Sequence, residues 1–152
     1  MNVCILLILL ILLGCGQVPR SSGLSEATSD SFPTRNDPLN ETKWVLITLY
    51  GHPPLEGTIL TLEFSKGNVS GSSGCNSIFG GENLSEKYKI SDDGSLRIDF
   101  ANTLVLCHSP EGIIEQEEAY FKGLRNVSEY RLTGNRLELR NKADDTILVF
   151  AK

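Results

Sequence analysis

The chain has 152 residues, enough for one domain with accessory segments, and its 40% hydrophobic and 22% charged content is a globular mixture. Its net charge of −5 at pH 7 and the lack of any Lys- or Arg-rich run exclude the basic stripe that nucleic-acid phosphates require, so no nucleic-acid partner is expected. The charge is unevenly placed: no charged side chain precedes Arg20, and the acidic balance of the remainder favours solubility.

Ile5–Leu13 is an unbroken run of Ile and Leu. It falls short of the roughly 20 apolar residues of a membrane span and matches the apolar core of a secretory signal. Leu12-Leu13-Gly14-Cys15 resembles the bacterial lipobox. There a small residue precedes a cysteine whose thiol is alkylated by a diacylglycerol before the peptidase cuts. The expectation is a signal peptide over 1–14 and lipidation at Cys15, whose acyl chains would anchor the chain to the membrane at about 0.8 kcal/mol per buried CH₂. The alternative is a plain signal peptide cleaved near Gly14 or Gly16. Gly16 in place of Asp after the cysteine favours the outer membrane under the enteric sorting rule, if the cell is Gram-negative.

Residues 15–40 read as a lipidated, disordered tether. Serines and Pro19, Pro33 and Pro38 dominate, and Leu24 and Phe32 stand alone, too little apolar surface to offset ordering entropy. As a flexible coil, about 25 residues would hold a domain roughly 25–30 Å from the lipid.

The globular domain is expected over 41–152. Thr42–Leu49 reads as a strand with Trp44, Leu46 and Thr48 on one face, broken by Pro53-Pro54. Gly57–Phe64 alternates with period two, Lys66-Gly67-Asn68 is a turn, and Val69-Ser70 returns. Gly71, Gly74, Gly80 and Gly81 suggest tight turns or a bulge in place of a regular strand. Lys87–Ile90 and Ser95–Phe100 flank the hairpin signal Ser91-Asp92-Asp93-Gly94, and Thr103–Cys107 reads as a short apolar strand. Ser109 as N-cap and Pro110 at the first helical position predict a helix ending near Asn126. Ile113, Ile114, Glu117, Tyr120, Phe121 and Leu124 form its inward stripe. Glu129–Thr133, Arg136–Arg140 and Thr146–Phe150 are the closing strands. The expected fold class is α+β, mainly β. Seven to eight short strands form a curled antiparallel sheet or partly open barrel, with one helix over an open face or end.

Cys4 leaves with the signal and Cys15 takes lipid, so Cys75 and Cys107 remain. In an exported domain the pair invites a disulfide closing a loop of about 32 residues, which contributes roughly 3–4 kcal/mol in the chain-entropy model. The alternative is two buried free thiols. A zinc site from Cys75, Cys107, His52 and His108 lacks metal-ligand spacing. Cys107 and His108, adjacent on a strand, would point to opposite faces and make a poor nucleophilic pair. Glu115 and Glu118 read as a solvated helix face. Glu117 falls on the inward stripe, where it would accept backbone hydrogen bonds in a structural role. No catalytic residue, metal site or cofactor is expected.

The chain is similar to the META/HslJ-like family, a domain of unknown function. The resemblance rests on Trp44-Val45-Leu46 with Gly51, on Gly71-Ser72-Ser73-Gly74-Cys75-Asn76 with Gly80, and on Thr103-Leu104-Val105-Leu106-Cys107. Glu117, Tyr120, Phe121 and Leu124 of the helix and Arg136-Leu137-Glu138-Leu139 complete it. It covers nearly all of 41–152, and the order and spacing of the motifs carry it. Ile78 and Glu82 stand where the family often has aromatic residues, and Val105-Leu106 replaces a usual Met-Ala pair. The resemblance implies a compact β-rich domain with one helix, often carried on bacterial envelope lipoproteins, without established enzymatic activity. It gives Trp44, Gly74, Asn76, Thr103 and Glu117 structural roles.

The functional expectation is a non-catalytic cell-envelope lipoprotein with a monomeric domain. It would bind an envelope protein partner or support stress tolerance, a pilotin-like chaperone being one version by fold analogy. A small-ligand or lipid-binding module is the alternative, an enzyme the remote third.

Overall fold

The computed structural model describes residues 37–80 and 88–152. The signal segment, Cys15, the tether as far as residue 36, and Gly81, Glu82 and Lys87 lie outside the described residues.

The elements run β1 (Thr42–Leu49), β2 (Thr61–Ser65), β3 (Asn68–Ser72), β4 (Ser77–Phe79), β5 (Lys89–Ile90), β6 (Leu96–Arg97), β7 (Ala101–Asn102), α1 (Ile113–Arg125), β8 (Glu129–Thr133), β9 (Arg136–Arg140) and β10 (Thr146–Ala151). Eight strands form one antiparallel sheet in the order β7-β4-β3-β2-β1-β10-β9-β8, open at β7 and β8, while β5 and β6 make a separate hairpin. The hairpin leans on the β8 end, where Ser95 bridges Glu129 and the Leu96 N–H donates to the Ser128 carbonyl at 2.9 Å. The β-rich, open antiparallel class, with a single helix among the described residues, is as expected.

Period-two patterning explains the sheet. In β1, Thr42, Trp44 and Leu46 point inward and Lys43, Val45 and Ile47 outward. Trp44 lies opposite Leu62 of β2, and Leu46 opposite Phe150 of β10. Lys66 and Gly67 both adopt positive φ, 51° and 79°, the left-handed pair that tightens the β2–β3 hairpin. Gly71 serves a different need. A Cβ there would stand 2.1 Å from the Thr61 carbonyl oxygen, so β2 and β3 meet only because that side chain is missing.

The helix closes the inner face. Tyr120, Phe121 and Leu124 join Trp44, Phe64, Leu137, Leu139, Leu148 and Phe150 in one buried cluster. Phe121 packs on Phe100 with ring centres 5.6 Å apart, and Phe64 meets Tyr88 edge-on at 4.8 Å.

Several expectations are corrected. Thr103–Cys107 is not a strand: Leu104 is 90% exposed and Leu106 76%, and the Asn76 side chain supplies the backbone partners of Val105. The apolar run is displayed to solvent on a loop. The glycine-rich stretch contains a regular strand, β4, and a short β7 pairs with it, so the described residues hold ten strands. The second strand begins at Thr61, because Gly57, at φ 81°, and Thr58 are used in a turn. The helix begins at Ile113, with Gly112 as N-cap at φ 82° and no side-chain cap, because Pro110–Gly112 form a turn before it. Ile114, placed on the inward stripe, is exposed, and Gln116 is buried instead. Packed structure also reaches ahead of Glu41. Leu39 is fully buried, and the Asp37 carboxylate accepts from the Leu39 N–H at 2.9 Å and from the Tyr88 hydroxyl.

Candidate functional site

The sequence-selected residues converge where α1 meets the turn between β3 and β4. Glu117, one turn into the helix, reaches across to that turn. Its Oε1 accepts from the Asn76 N–H at 3.0 Å and from the Ser73 hydroxyl, and its Oε2 accepts from Asn76 Nδ2 at 2.8 Å. Ser73 Oγ also accepts from the Asn76 N–H at 2.9 Å, and the Ser73 N–H donates to the Asn76 carbonyl at 2.8 Å. Gly74 fits inside this turn at φ 94°, with Ile113 and Leu60 3.4 and 3.5 Å from where a Cβ would be.

Asn76 is the hub. Its Oδ1 accepts from the Thr103 hydroxyl and from the Val105 N–H, both at 2.7 Å, and its Nδ2 donates to the Val105 carbonyl at 3.0 Å. With the bond to Glu117, both donors and both acceptor sites of the amide are used, as a buried Asn requires. Thr103 Oγ1 also accepts from the Ser77 N–H at 3.1 Å. One position earlier, Cys75 is joined to Cys107 by a disulfide, Cα to Cα 6.0 Å. The loop 103–107 is therefore pinned at Thr103, at Val105 and at Cys107. What it presents to solvent is Leu104, Val105 and Leu106.

The other residues singled out lie elsewhere. Trp44 is buried in β1, its indole N–H donating to Thr42 Oγ1 at 2.8 Å and its ring facing the Lys152 ammonium at 4.9 Å. His52 and His108 are exposed, and the described residues contain no group of three or more His, Cys, Asp or Glu side chains placed to hold a metal ion. Glu115 and Glu118 are exposed on α1.

Sequence reasoning missed Gln116. Buried beside Glu117, its Oε1 accepts from the Leu55 N–H at 2.6 Å and its Nε2 donates to Thr58 Oγ1 at 3.1 Å. Tyr120, one turn on, donates to the Thr61 carbonyl at 3.0 Å. The helix thus fastens the 55–58 loop, the 73–76 turn and β2 through Gln116, Glu117 and Tyr120. Glu117 is surrounded by donors from Ser73 and Asn76, and Cys75 and Cys107 are joined to each other. The chemistry of the arrangement is positional: it holds a loop.

The META domain family model matches residues 37–152. The chain belongs to the META domain family. Three solved structures share the fold. An NMR structure is 25% identical with a TM-score of 0.56, covering 74% of this chain and 90% of the other. The crystal structure of a DUF4847 family protein from Bacteroides vulgatus is 16% identical with a TM-score of 0.55, covering 74% and 93%. An NMR structure of a protein from Burkholderia xenovorans is 26% identical with a TM-score of 0.54, covering 81% and 94%. No match emerged among curated proteins. The family match starts at residue 37, where the described structure of this META domain also starts.

Proposed function

We propose that this META domain is a non-catalytic docking module of the bacterial cell envelope. It is carried on a lipidated Cys15 and engages a protein partner through the Leu104–Leu106 loop. The observation that carries the reading is the loop itself: three consecutive apolar side chains, all more than half exposed, on a backbone fixed by Asn76 and by the Cys75–Cys107 bond. Exposed contiguous apolar groups mark interaction surfaces. A loop already ordered before binding loses little conformational entropy when it docks. The occupant that fits is a protein segment bringing its own apolar side chains. A lipid-binding interior, the alternative, draws less support, since Trp44, Phe64, Tyr120 and Phe150 fill the inner face.

The test is photo-crosslinking in the native envelope. A photoreactive residue replacing Leu104 in the acylated chain should give one discrete protein adduct, and Leu106→Ser in the same chain should abolish it. Adducts to phospholipid alone, or a protein adduct indifferent to Leu106→Ser, would overturn the reading. Release of the chain from membranes by Cys15→Ala tests the anchor separately.

A further inference from the structure

The chain is acidic overall, yet five of its cations border one surface of the domain. Two open grooves meet there, of about 770 and 530 Å³, and share Arg125, Val127 and Lys142. Lys122 lines the first groove, Lys89 and Arg97 the second. Among the described residues these five cations face a single lining carboxylate, Asp99, which is already paired with Arg97 at 2.8 Å. Five of the 14 Lys and Arg residues in a chain of net charge −5 thus border one surface. Arg125, at the junction, is held by its ring contacts. Its guanidinium stands 4.9 Å from the Phe100 centroid and 5.7 Å from that of Phe121. Stacking of this kind leaves the planar fork of N–H groups free to take a carboxylate.

The floor has a different character. The exposed Tyr50 ring and half-buried Ala119 line the first groove above Val127 and Ile147, which are buried, as Leu96 and Ile98 are in the second. A continuous polyanion such as a phosphate polymer has no use for an apolar floor. An extended chain with carboxylates and aliphatic side chains in alternation matches both components. We propose that the joined grooves bind an extended acidic peptide segment of a protein partner, its carboxylates held by Arg125, Lys122 and Lys142 and its aliphatic side chains resting on Ala119 and the Tyr50 ring. This surface is separate from the Leu104–Leu106 loop and stands whether or not that loop docks a partner.

The test uses the full chain in detergent and fluorescence anisotropy with a labelled peptide of alternating Glu and Leu. The Glu peptide should bind about tenfold more tightly than its Gln-Leu counterpart, and added salt should weaken it. Lys122→Gln with Lys142→Gln, both exposed and remote from the ring contacts of Arg125, should lose about tenfold in affinity. Adding Arg125→Gln should deepen the loss. A control removing equal charge elsewhere, Lys43→Gln with Lys66→Gln, should bind as the parent does, and so should Leu104→Ser with Leu106→Ser. No binding of the Glu peptide, equal binding of the Gln peptide, equal loss in the control, or tighter binding of inorganic polyphosphate would each overturn the proposal.

Discussion

Asn76 and Val105 are joined through both ends of one amide: the Val105 N–H donates to Asn76 Oδ1 at 2.7 Å, and Asn76 Nδ2 donates to the Val105 carbonyl at 3.0 Å. A side chain thus supplies the donor and acceptor that a neighbouring strand would otherwise provide. Asn76→Ala removes it and leaves Glu117 and Thr103 short of partners. With about 1 kcal/mol per lost bond and more for each buried group left unpaired, the expected cost is about 2–4 kcal/mol. Urea unfolding measures it, and amide exchange at Val105 should accelerate in the variant. Asn76→Asp gives no rescue, because it places a carboxylate beside Glu117 and removes the donor to Val105.

The same site shows how far the sequence could be read. The alternation in β1, β9 and β10 and the turn at Lys66-Gly67 were legible because period and turn chemistry are local properties. Glu117 was legible as an inward polar residue on an otherwise apolar stripe. Its partners were not, since nothing local places Asn76, Thr103 and the 103–107 loop around it. Thr103–Cys107 was misread because apolar residues carry the same pattern whether a strand buries them or a loop displays them. Gln116 gave no signal: its bonds to Leu55 and Thr58 span about 60 positions of sequence. The shift of the helix start to Ile113 depends on a left-handed Gly112, a backbone choice that Ser109-Pro110 masked.

The Cys75–Cys107 bond closes a loop of 32 positions that contains β4 to β7. Constraint of the unfolded chain predicts that reduction lowers stability by about 3–4 kcal/mol. The unreduced protein should show no alkylatable thiol at these two positions after unfolding, by mass spectrometry. Two alkylated cysteines without reductant would show that the native protein holds them as thiols.

Leu39 marks where the fold begins. It is fully buried, its carbonyl accepts from the Thr42 hydroxyl, and neighbouring Asp37 accepts from Tyr88. Leu39→Ala should cost about 2–5 kcal/mol, as for a buried leucine elsewhere. A chain starting at Glu41 should lose at least as much relative to one starting at Asp37, read from urea midpoints. Equal midpoints for the two starts would place residues 37–40 outside the cooperative unit.

Tyr120 couples the core to alkaline pH. Burial pushes its hydroxyl above the ordinary value of 10.0, and Tyr88 is raised as well, by burial first and then by its hydrogen bond to Asp37. The folded form holds these protons more tightly than the unfolded chain does. The resulting stability is fully present below about pH 10 and is lost as pH rises above it, while the unfolded tyrosines ionise and the folded ones do not. Each such group steepens the fall by up to about 1.4 kcal/mol per pH unit. Tyr120→Phe removes the bond to the Thr61 carbonyl and should cost about 1 kcal/mol near neutrality. It should also flatten the alkaline limb, so that the gap between variant and parent narrows as pH rises. Urea midpoints for both proteins from roughly pH 8 to 11 read the difference. A gap constant across that range would mean that Tyr120 ionises in the folded protein as readily as in the unfolded one, and the buried hydroxyl would then not be the group that couples stability to alkali.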